Sequence, residues 1–89
     1  MKIKEGFLLR NVSEAYVVVA TGEAAKSFNG MITLNATGAF LWQQLAKGCK
    51  DEAELVDKLL AEYDVDRTQA EADVNAFTAR IKDAGLLEA

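Results

Sequence analysis

The first third of the chain reads as short strands. Phe7-Leu8-Leu9-Arg10-Asn11-Val12 and Tyr16-Val17-Val18-Val19-Ala20 are rich in β-branched and aromatic residues, the types that suit a pleated, half-buried surface. Thr21-Gly22-Glu23 breaks this pattern, and Ser27-Phe28-Asn29-Gly30 marks a turn through its Asn-Gly pair. Met31-Ile32-Thr33-Leu34 then predicts a third strand. A meander this small is stable only if something covers one face of it.

The remaining residues change period from two to between three and four. Asn35 stands at an N-cap position, able to accept from the amides of the turn that follows. A first helix is expected over about 36–46, with Phe40, Leu41, Trp42 and Leu45 on it, stopped at Gly48. Asp51 with Glu54 resembles a capping box and opens a second helix over about 52–63, whose apolar stripe is Leu55, Val56, Leu59, Leu60 and Tyr63. Asp66-Arg67-Thr68-Gln69 repeats that grammar before a third helix over about 67–84, where Ala70, Val74, Phe77 and Ile81 recur at helical spacing. Gly85 ends it, and Leu86-Leu87 supplies the apolar contact that accompanies such a cap. Strands followed by helices imply an α+β domain: a three-stranded antiparallel sheet, then three helices, in one unit over 1–89.

Composition narrows the chemistry. The chain has 89 residues, no His, no Pro and one cysteine, Cys49. Without His there is no imidazole base, no Ser-His or Cys-His pair and no His metal ligand. One cysteine makes neither an internal disulfide nor a Cys-rich zinc site. No phosphate-binding glycine loop is present, since Gly22, Gly30 and Gly38 stand singly. The carboxylates lie mixed with Lys and Arg, in the manner of a wetted helix face. No catalytic residue, metal or cofactor is therefore expected, and the chain reads as not an enzyme. Met1-Lys2-Ile3-Lys4-Glu5-Gly6 leads into no long apolar run, so a cytoplasmic protein without a signal peptide or membrane span is expected.

Charge is divided along the chain: residues 1–50 carry a net +3 and residues 51–89 a net −7, within a total of −4. A helix-turn-helix reader of DNA would place Asp66–Asp73 in the major groove. That stretch holds three carboxylates against one Arg, which opposes phosphate. Nucleic acid is not expected as a partner, although a winged-helix nucleic-acid-binding domain is the competing reading of the fold. A generic protein docking module is another.

Leu34-Asn35-Ala36-Thr37-Gly38-Ala39-Phe40-Leu41-Trp42 resembles the leucine-asparagine…tryptophan signature of the PqqD family, the relatives of pyrroloquinoline quinone biosynthesis protein D. The likeness continues through Gly48, Glu54-Leu55-Val56, Tyr63-Asp64-Val65-Asp66, Asp73-Val74, Phe77 and Gly85-Leu86-Leu87. The resemblance implies a RiPP recognition element. Such a domain is winged-helix-like and non-catalytic; it holds the leader of a ribosomally synthesised precursor peptide for a modifying enzyme, often a radical SAM enzyme. It further implies that the leader adds as a strand along Met31, Ile32, Thr33 and Leu34, against a wall formed by Val74, Phe77, Thr78 and Ile81. Arg80 and Lys82 are then candidate rim cations. Thr78 departs from the aliphatic residue that relatives commonly carry there.

The residues have plainer readings beside this one. Trp42, Val74, Phe77 and Ile81 suit a core, Asn35 a cap, and Arg80 and Lys82 a solvated surface. The independent support is that Met31–Leu34 contains no charge and no proline, the devices that normally guard a sheet edge. An unguarded edge suits a docking peptide, and equally a second copy of the chain.

Overall fold

The computed structural model describes residues 1–13, 15–22, 24–27 and 31–88. Its elements are β1 (Phe7–Val12), β2 (Ala15–Ala20), a four-residue helix α1 (Ala24–Ser27), β3 (Ile32–Leu34), α2 (Ala36–Lys47), α3 (Glu52–Glu62) and α4 (Arg67–Asp83). The antiparallel sheet and the three long helices stand where the hydrophobic pattern puts them. α1 is an addition: it follows the break read at Thr21-Gly22-Glu23 and takes in Ser27 of the expected turn. The Phe28-Asn29-Gly30 part of the expected turn lies outside the described residues.

Sheet order is β1-β2-β3, both pairs antiparallel. The register opposes Leu9 to Val18 and Val18 to Ile32, and Tyr16 to Leu34. Side chains directly opposite in a ladder share a face. Phe7, Leu9, Tyr16, Val18, Ile32 and Leu34 therefore form the inner face, and all join one apolar cluster with the helices. Thr33 falls on the other face and is exposed. With Val18 of the sheet, Leu41, Leu45, Leu55, Leu59, Val74, Ile81 and Leu86 are the cluster's most completely buried large side chains, and Trp42 is buried in the same cluster.

Each long helix begins on its side-chain cap. Asn35 Oδ1 accepts from Gly38 N at 2.8 Å, Asp51 Oδ1 from Glu54 N at 3.0 Å, and Asp66 Oδ1 from Gln69 N at 2.7 Å. The reciprocal halves of the capping boxes do not close. Glu54 Oε2 accepts from Lys50 N, one residue before the cap, and Gln69 Nε2 donates forward to Asp73 Oδ1 at 2.8 Å.

α4 ends in a full Schellman motif. Gly85, at φ 79°, donates to Lys82 O, and Leu86 N donates to Ile81 O at 3.1 Å. Leu86 then does more than cap. The segment after α4 runs antiparallel to the first residues of the chain: Lys4 N donates to Leu86 O, Glu88 N to Lys2 O, and Ile3 pairs with Leu87. Cys49 N donates to Met1 O at 2.9 Å, so this two-sided clasp also holds the link between α2 and α3.

Candidate functional site

β3 lies at the border of the sheet, and among the described residues it has a neighbour on one side only, β2. Successive amides of a strand point to opposite edges, so part of the Ile32–Leu34 backbone faces outward. Inner-face packing explains why these residues are a strand at all: Ile32 and Leu34 are buried, whereas Thr33 is not. Met31 precedes the strand and is 66% exposed.

Beside the end of β3 a groove of about 270 Å³ opens between the first turn of α2 and one face of α4. β3 contributes Leu34, α2 and its cap contribute Asn35, Thr37, Gly38 and Leu41, and α4 contributes Asp73, Ala76, Phe77 and Arg80. Gly38 is what allows α2 to sit so close to β3. A Cβ there would stand 3.2 Å from Asn35 Oδ1 and 3.3 Å from Leu34 Cβ.

Helical geometry explains which α4 residues reach the groove. At about 100° per residue, positions 73, 76, 77 and 80 fall within a stripe about 100° wide. Val74 and Ile81 lie to one side of that stripe and are wholly buried in the core. Thr78 and Lys82 lie about 140° and 180° round from Asp73. The expected wall of Val74, Phe77, Thr78 and Ile81 is thus split by the turn of the helix. Phe77 and Arg80 line the groove; Thr78 and Lys82 line a separate depression with Met1, Lys50, Glu52 and Leu87. The Thr78 hydroxyl meets the Glu52 carboxylate and is within reach of Val74 O at 3.0 Å and Asn75 O at 3.2 Å. A hydroxyl in place of an aliphatic side chain at 78 accordingly leaves the groove no more polar; it ties α4 to α3.

Asp73 and Ala76 are groove residues that the apolar pattern passes over, because neither is a large hydrophobe. The signal that finds them is the helical stripe through Phe77. Asp73 is half-buried and held by Gln69 Nε2. Arg80 is exposed, with no ion-pair partner among the described residues. The described ion pair Arg67–Asp57, at 3.1 Å, lies elsewhere and joins α4 to α3.

Cys49 is buried in the α2–α3 link, its Sγ 3.5 Å from Gln44 O. Burial pushes the thiol pKa up, and the nearby Glu54 carboxylate pushes it in the same direction. A thiol so placed is a poor nucleophile at neutral pH. No helix among the described residues is long and apolar enough to cross a membrane.

Comparison with solved structures finds the same fold in TbiB1 in complex with the TbiA(beta) leader peptide, at TM-score 0.74 and 30% identity, over 99% of this chain and 95% of that one. Lasso peptide synthetase B1 complexed with the leader peptide is similar at TM-score 0.70 and 25% identity, over 96% and 93%. No curated protein matches the chain in sequence. The family model for coenzyme PQQ synthesis protein D matches residues 10–87. That span takes in the second half of β1, all of β2 and β3, the signature at the start of α2 and the groove along α4, and the chain belongs to the PqqD family.

Proposed function

We propose that this PqqD-family domain is a non-catalytic adaptor that holds the leader of a ribosomally synthesised precursor peptide and presents it to a modifying enzyme. The observation that carries the reading is the continuity of a strand edge that is unpaired among the described residues, Ile32–Leu34, with an open groove at its end. An extended peptide laid along β3 gains main-chain hydrogen bonds from the edge and seats alternate side chains in the groove. Leu34, Leu41, Ala76 and Phe77 offer it apolar surface, and Arg80 and Asp73 offer charge. The related solved structures hold leader peptides, which supports a leader as the occupant here; one of the two is a lasso peptide synthetase B1, which favours a lasso-type precursor.

The adaptor works through effective concentration. Joining leader and enzyme on one small domain makes the encounter of the remaining peptide with the active site intramolecular, worth ~10²–10⁴ where the geometry allows. The enzyme partner is a radical SAM enzyme or a component of a lasso peptide synthetase, and pull-downs with each distinguish them.

The test is an amide-resolved NMR titration with the leader of the precursor peptide encoded beside this chain. Shifts are expected on residues 31–34 and on the Asp73–Arg80 stripe of α4. A spectrum that stays unperturbed, or shifts confined to the Thr78–Lys82 side, overturns the reading. Proline placed in turn at Ile32, Thr33 and Leu34 sharpens it. Where the amide faces outward, proline removes a donor to the peptide and binding falls while the β2–β3 ladder persists.

A further inference from the structure

The groove face of α4 is apolar in its middle and oppositely charged at its two ends. Asp73, then Ala76 and Phe77, then Arg80 follow one another along a single stripe. Asp73 is oriented by Gln69, and Arg80 has no ion-pair partner among the described residues. The helix dipole accounts for a cation near the last turn of α4. It does not account for Arg80 sharing the Phe77 face while Lys82, equally near that end, lies on the opposite one.

From this we infer that the groove reads a charge register as well as an apolar side chain. The occupant is an extended peptide with a cationic residue facing Asp73, an apolar residue over Ala76 and Phe77, and an acidic residue facing Arg80. The spacing follows from the two geometries. Seven residues of helix place Asp73 and Arg80 about 10 Å apart along the axis. Same-side residues of a strand repeat about every 7 Å, so positions i and i+4 span about 14 Å. The length of the Arg80 side chain covers the difference. The pattern is thus a cation, an apolar residue and an anion on alternate positions, or its reverse if the peptide runs the other way. Whichever the direction, the charges orient the peptide, because the inverted pattern sets like charges against both Asp73 and Arg80.

This inference rests on the peptide-binding reading above, and one experiment separates their failures. The intact chain is used to select from a random library of short linear peptides. The double variant Asp73→Lys with Arg80→Glu is used in parallel, and NMR verifies that both are folded. The native chain is expected to enrich the alternating charge pattern around an apolar residue, and the double variant its inverse. A synthetic peptide of the native consensus is expected to lose about tenfold in affinity for the double variant, with the inverted peptide restoring it. Enrichment of apolar, strand-forming peptides with no charge signature, or the same signature for both proteins, overturns the charge register and leaves the adaptor reading standing. Failure to enrich any peptide overturns both.

Discussion

Gly38 is the residue on which the groove and the fold meet. It sits in the first turn of α2, where alanine would ordinarily favour the helix by about 1 kcal/mol. Here the added methyl would press on Asn35 Oδ1, which is committed to the helix cap, and on Leu34, which is fixed in the core. Neither neighbour can give way freely. Gly38→Ala is therefore expected to destabilise the domain by about 1 kcal/mol despite the better helix propensity, and to weaken peptide binding by narrowing the groove. Thermal unfolding and a binding isotherm measure the two effects, and a raised Tm would refute the steric account. Cys49 is the contrasting case, a residue whose setting removes reactivity. Its raised pKa means that the folded state favours the neutral thiol, so the associated stability is present at neutral pH and is lost only as pH rises through the folded-state pKa. Iodoacetamide at neutral pH is expected to label Cys49 in urea far faster than in buffer; equal rates would show that the thiol is open.

At the scale of elements, local rules were enough to place most boundaries. A cap spans three residues of sequence, so Asn35, Asp51 and Asp66 announce the starts of α2, α3 and α4 without help from the rest of the chain. Gly85 announces the end of α4 in the same way, because its φ of 79° belongs to the left-handed region. A Cβ on Gly85 would meet nothing within 4 Å, which isolates the backbone cost. Gly85→Ala is expected to destabilise by about 1 kcal/mol and to lower Tm by several degrees in a domain of this size. A calorimetric scan checks this, and an unchanged Tm would mean that the turn tolerates an L residue. The face of α4 was less legible. Its buried set, Ala70, Val74, Phe77, Thr78 and Ile81, covers a broad arc because the helix packs against both α3 and α2. Hydrophobicity alone therefore merges sides that the structure separates, and the wall that the family resemblance implies sets Thr78 beside Phe77 although its hydroxyl meets Glu52.

At the scale of the molecule, the division of charge along the chain matters more than its total. The N-cap and N-terminal half of α4 expose Asp66 and Glu71, with Asp73 on the groove stripe, where a winged-helix reader of DNA would need a cationic surface. A mobility-shift assay with duplex DNA is expected to give no complex even at low salt. A complex that weakens steeply as salt rises would restore the nucleic-acid reading. The open edge of β3 has a second consequence: two copies can pair there, in competition with a peptide. Sedimentation with and without bound peptide is expected to show any dimer giving way to a peptide-bound monomer.

The order of strands and helices, the three caps and the apolar stripes were determined by the sequence itself, because each depends on residues within a few positions of one another. The tertiary structure alone decided which strand lies at the border, which stripe of α4 faces the groove, and that residues 2–4 clasp residues 86–88. Those features join residues far apart in the chain. A sequence pattern specifies what a segment buries but not which neighbour it is buried against, and here the choice of neighbour makes the groove.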